Sequence, residues 1–145
     1  MKRTWIAAPL LCFACGAMAA AEQPAVSPQQ AVSAVIAQLE RAKASLMQEY
    51  ATRGKAFPKS SEWAYRSNAG ESVSYNSRSP ASASLVATIT GTKNEDLYNR
   101  HLAYFAATKP DGTVVWTCGT ARSALRTSPS EETSMYPFLP PECRN

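Results

Sequence analysis

Two cysteines, Cys118 and Cys143, are the residues of this chain best placed to form a covalent bond. The other two, Cys12 and Cys15, lie in an N-terminal stretch that reads as a removable leader. Two thiols left in an exported chain are expected to form one disulfide, with no ambiguity of connectivity. Such a bond would pin the Pro- and Ser-rich tail to the end of a strand. Other chemistry finds less material. His101 is the single histidine, and with no second histidine or free cysteine it has no obvious partners for a metal centre or a catalytic pair. Ser123, Ser128 and Ser130 sit in no nucleophile-elbow pattern. Glu95-Asp96 and Glu131-Glu132 are paired acids in polar surroundings, readable as solvated loop charge or as a weak cation site completed by backbone carbonyls. The six glycines are scattered, so no phosphate-cradling loop exists. These residues imply no enzyme and no cofactor.

The elements that would position the cysteines begin after the leader. Met1-Lys2-Arg3 is basic, Trp5 to Ala14 is apolar, and Ala17-Met18-Ala19 and Ala19-Ala20-Ala21 both satisfy the small-x-small cleavage rule. This is the layout of a secretory signal peptide spanning residues 1–21, with cleavage after Ala19 or Ala21. A membrane anchor is the alternative, but Pro9 and Gly16 interrupt a stretch already short of the roughly 20 apolar residues a span needs. The mature chain is therefore expected to lack a transmembrane segment and to be periplasmic or extracellular. Residues 22–145 suit one domain with one modest core. Of fifteen basic and eleven acidic residues, Lys2 and Arg3 belong to the leader, so the mature net charge is only +2. No basic run interleaved with aromatics supports nucleic-acid binding.

Ser27-Pro28-Gln29-Gln30 combines an N-cap, a proline at the first helical position and a capping-box glutamine. Val32, Val35, Ile36, Leu39, Leu46, Met47 and Tyr50 then recur at helical spacing until Gly54 and Pro58, predicting a helix from about Pro28 to Thr52. A coiled coil would need a longer apolar stripe. Lys55 to Ser84 reads as a long connection carrying Trp63, Tyr65 and a short strand near Ser72–Asn76. Three strands follow at Ser84–Thr90, Arg100–Thr108 and Thr113–Cys118, the last two joined through Pro110-Asp111-Gly112. The expected fold is α+β: one long N-terminal helix packed on a three- to four-stranded antiparallel sheet, closed by a C-terminal disulfide loop. One face of the sheet should meet the helix and the other should be wetter.

In order and in residues, this arrangement resembles the type IV pilin family. Val115-Trp116-Thr117-Cys118 is similar to the Trp-x-Cys that ends the last sheet strand in that family. Tyr136-Pro137-Phe138-Leu139-Pro140-Pro141-Glu142-Cys143-Arg144 is similar to its Leu-Pro-x-x-Cys ending, and Gly54-Lys55-Ala56-Phe57-Pro58 to the Gly-x-x-Pro after its helix. The resemblance runs from about Val32 to Arg144. Residues Glu22 to Pro28 depart from it: they are polar and proline-broken, where pilins have a Phe-Thr-Leu-x-Glu-like start and a long apolar segment. The resemblance implies a non-enzymatic pilin-like domain acting in pilus structure, assembly or adhesion. Its partners would be pilus subunits, assembly proteins or a surface receptor. A periplasmic ligand-binding or inhibitor module of the same architecture is the alternative. Tyr136, Phe138 and Leu139, with Trp63 and Tyr65, form either a satellite core over the sheet edge or an exposed interaction surface.

Overall fold

The computed structural model describes residues 25–67 and 72–145; the expected leader, 1–21, lies outside them. Helix α1 runs Pro28–Thr52. Its start is set by the expected box: the Gln30 N–H donates to Ser27 Oγ at 3.2 Å, and the Ser27 N–H donates to Gln30 Oε1 at 3.1 Å. Val32, Val35, Leu39, Ala42, Leu46 and Tyr50 form its buried stripe. The helix ends where Gly54 (φ +69°) and Lys55 (φ +65°) enter the left-handed region, and the Lys55 N–H caps the Tyr50 carbonyl at 3.0 Å.

The sheet has five antiparallel strands in sequential order: β1 Tyr65–Arg66, β2 Ser72–Ser79, β3 Ser82–Thr88, β4 His101–Thr108 and β5 Val114–Ala121. Two short 3-10 turns, Thr133–Phe138 and Pro141–Cys143, close the chain. The α+β fold, a helix on an antiparallel sheet with a C-terminal disulfide, is the expected one, with one strand more than the three to four expected. The additional strand is the two-residue β1, paired with Val73 and Ser72. The β2 strand extends three residues beyond Asn76 because Ser77 and Ser79 still pair with Ala83 and Ser82 through a bulge. Strand β3 lies two residues earlier than expected. Its last expected residues, Ile89 and Thr90, leave the regular ladder where Asn99 turns at φ +60°, although the Ile89 N–H still donates to the Arg100 carbonyl.

Period-two alternation divides the residues between the two faces. Leu85 and Ala87 of β3 and Leu102, Tyr104 and Ala106 of β4 face α1 in the main core. Val86, Ala103, Phe105 and Ala121 form a second, smaller cluster on the other face. That face is drier than expected because the segment after β5 turns back towards it. Ser84 Oγ donates to the Arg126 carbonyl at 2.6 Å, and Asn76 Nδ2 donates to the Ala124 carbonyl at 2.8 Å. Ser84 is thereby fully buried with its hydroxyl satisfied.

Candidate functional site

The tail after β5 is fixed by a covalent bond and a ring of polar contacts. Cys118 and Cys143 form the disulfide, with their Cα atoms 4.5 Å apart. One strand turn further on, the Thr120 N–H donates to Asn145 Oδ1 at 3.0 Å, and the Thr120 carbonyl accepts the Ser130 N–H at 2.9 Å. Thr120 Oγ1 also donates to the Ser130 carbonyl and accepts the Glu132 N–H at 3.1 Å. Asn145 Nδ2 reaches the same Ser130 carbonyl at 3.2 Å. These bonds occupy the outward-facing backbone groups of β5 at Thr120, which would otherwise be an open sheet edge.

The tail in turn brings Tyr136, Phe138 and Leu139 against the first half of α1. Leu139 is 2% exposed and belongs to the core, while Tyr136 and Phe138 are half-buried beside it. Between helix and tail runs a groove of about 430 Å³ lined by Val32, Ile36, Pro137, Phe138, Pro140 and Glu142, among others. Trp63 and Tyr65 are elsewhere, at the β1 edge of the sheet. Their rings stack at 6.3 Å, and Trp63 meets Tyr75 edge-on at 5.0 Å, so both rest partly on the core. The five aromatic and apolar residues singled out from the sequence thus fall into two groups on opposite sheet edges.

Sequence reasoning missed two further arrangements. Lys43 Nζ lies 5.4 Å from the Tyr104 ring centroid and 5.7 Å from that of Trp116, a cation–π contact with both, and 3.4 Å from Glu40. The Tyr104 hydroxyl is pushed well above the usual phenol range by burial, reinforced by Glu40. The (i, i+3) spacing of Glu40 and Lys43 was a visible signal, but their aromatic partners come from distant strands. The second arrangement surrounds His101, whose Nδ1 lies 3.1 Å from Thr88 Oγ1 across the β3–β4 pair. Partial burial holds its pKa below the ordinary imidazole value. Beside it a polar cavity of about 370 Å³ is lined by Asn99, Arg100, Arg122 and Glu132. Glu132, readable from the sequence as loop charge or part of a weak cation site, is ion-paired there with both arginines. Among the described residues no cluster of three His, Cys, Asp or Glu side chains could hold a metal ion.

A helix laid across an antiparallel meander, with a disulfide joining the last strand to the chain's end, is the arrangement on which the resemblance rested. The family model for pilin, a bacterial filament protein, matches residues 31–144. The chain belongs to the pilin family. No curated protein and no solved structure matches it. The match begins inside α1 and ends one residue past Cys143, so all but the first three residues of this pilin's helix, the whole sheet and the disulfide fall within it. No helix among the pilin's described residues is long and apolar enough to cross a membrane.

Proposed function

We propose that this pilin works without catalysis, by protein–protein association in the structure or assembly of type IV pili or in adhesion, after export and cleavage of its leader after Ala19 or Ala21. The observation that carries the reading is the family match over residues 31–144. The groove between α1 and the stapled tail supports it as the contact surface. It is apolar at Val32, Ile36 and Phe138, it carries the acid Glu142, and both its walls are held rigid by the core and the disulfide. The partner would be a pilus subunit, an assembly protein or a surface receptor.

The test places a photo-crosslinking residue at Phe138 and, separately, at Trp63, in cells producing pili. Crosslinks from Phe138 to a pilus component, together with altered piliation or adherence in the deletion strain, are the expected result. Unchanged piliation and adherence on deletion, with no crosslinked pilus component from either site, would overturn the reading. N-terminal sequencing of the exported protein checks the leader: the expected first residue is Ala20 or Glu22.

A further inference from the structure

We propose that the open pocket bordered by Arg100, His101, Arg122 and Glu132 is a binding site for a small oxyanion, a carboxylate or a sulfate-type group. Three separate segments build it: the turn at Asn99 with the start of β4, the end of β5 at Ala121 and Arg122, and the tail at Glu132. The Glu132 side chain is only 17% exposed and its backbone N–H is tied to Thr120 Oγ1, so the carboxylate is a fixed point. One of its oxygens accepts Arg122 Nε at 2.8 Å, and the other lies 3.7 Å from Arg100 Nη1. A single carboxylate thereby holds two guanidinium groups at the rim of one cavity.

The charge balance is the informative part. Arg53, on the other side of the molecule, has two carboxylates to itself, Glu49 and Glu62, and is fully neutralised. Around Glu132 the ratio is reversed, leaving a net charge of +1 while His101 is neutral. The donor inventory points the same way. Each guanidinium carries five N–H groups and accepts nothing, and Glu132 engages only Nε of Arg122 and Nη1 of Arg100. His101 uses Nδ1 toward Thr88, which leaves Nε2 as a further ring nitrogen. A pocket in which the N–H groups of two guanidinium groups outnumber the oxygens of Glu132 and Asn99 suits a ligand that only accepts. The planar fork of arginine matches the two oxygens of a carboxylate or sulfate. At about 370 Å³ the space holds such a group with several of its waters, at about 30 Å³ per water.

His101 is the chain's only histidine, so its ring protons give one unambiguous NMR signal beside the site. Sodium sulfate is titrated into the protein at constant ionic strength against chloride. A saturable shift of the His101 ring signals is expected, together with a rise of its titration midpoint. The groups facing the ring are the Thr88 hydroxyl, Arg100, Arg122 and Glu132; an added anion favours the imidazolium, so the midpoint must rise and not fall. At about 5 Å in a water-like dielectric the two charges of sulfate give about one pH unit, and the single charge of acetate about half of that.

The double variant Arg100→Gln, Arg122→Gln should weaken the response at least about tenfold, while Arg78→Gln on β2 leaves it unchanged. Both site arginines are well exposed, at 46% and 71%, so folding should survive; if the double variant melts early, Arg122→Gln alone gives the comparison. A parallel acetate titration separates the two sources, with response to acetate alone assigning a carboxylate ligand and response to sulfate alone a tetrahedral one. No His101 response to either anion, or a response that persists without the arginines, would overturn the site. Neither result depends on whether the groove beside Phe138 contacts a pilus component.

Discussion

Removing the disulfide should cost this pilin a large part of its stability, and the loss should appear first along β5. Cys118 and Cys143 stand 25 residues apart in sequence, and closing a loop of that length in the unfolded chain corresponds to about 3.5 kcal/mol. Typical domains have only about 5–15 kcal/mol in total. At about 4 °C per kcal/mol for a domain of this size, the double variant Cys118→Ala, Cys143→Ala should melt about 10–15 °C lower. Circular dichroism melts of the two proteins, with the wild type also measured after reduction, give the number. Amide exchange gives the location: the Thr120 N–H is held by Asn145 Oδ1, two residues beyond the staple, and should lose protection well before the amides of β3. The reasoning fails if the melting midpoint stays within about 2 °C and Thr120 keeps its protection. That result would mean that the polar contacts of Ser130 and Asn145 hold the tail without the bond.

Three other perturbations test separate parts of the fold. Ser27→Ala removes the N-cap of α1 and should lower stability by about 1 kcal/mol in urea denaturation, with an unchanged slope. Tyr50→Phe deletes the hydroxyl that bonds Thr108 Oγ1 at 3.2 Å and the Gly112 carbonyl at 3.4 Å, tying the helix end to the β4–β5 hairpin; about 1 kcal/mol should be lost by the same assay. His101 is expected to make the wild type acid-sensitive. Its pKa in the fold lies below its unfolded value of about 6.5, so below that pH the unfolded chain binds the proton more readily and stability falls as pH falls. The His101→Gln variant should show a smaller loss between pH 7 and pH 5 in melts at fixed ionic strength, and an identical loss would exclude the histidine as the cause.

What was legible in the sequence was whatever is encoded locally. The capping box, the stripe from Val32 to Tyr50 and the Gly54 stop lie within one continuous segment, and α1 begins and ends where they place it. The disulfide was legible because only two of the four cysteines lie outside the expected leader, which leaves one pairing. Strand β2 was partly hidden by composition, because Ser-Val-Ser-Tyr-Asn-Ser-Arg-Ser has few β-branched residues and only Val73 and Tyr75 point into the core. The two residues of β1 carry too short a pattern for any periodicity to register. The path of the tail over the outer face was hidden for a different reason. It depends on side chains of Asn76 and Ser84 donating to the carbonyls of Ala124 and Arg126, and a carbonyl leaves no mark in the sequence. The arginine cavity shares that origin: Arg100, Arg122 and Glu132 meet only after the tail has returned to β5.

The tail therefore does more than hang from a staple. On its way to Cys143 it contributes backbone acceptors over the outer face, Ser130 to the edge of β5, Glu132 to the arginine pocket and Phe138 to one wall of the groove, and beyond Cys143 it adds Asn145 to the β5 edge. Met135 and Leu139 anchor this segment in the core, and the rest of it, with little apolar area to bury, depends for its order on such side-chain and covalent ties. Opening the Cys118–Cys143 bond removes the tail's covalent tie and leaves it held by the polar contacts of Thr120, Ser130 and Asn145 and by the buried side chains of Met135 and Leu139. The cavity and the groove share this one constraint, since Glu132 and Phe138 lie six residues apart on the same return path. Loss of sulfate response at His101 and loss of crosslinking at Phe138 should then accompany each other in the reduced protein, whereas Trp63, held at the far edge by Tyr65 and Tyr75, should keep its environment.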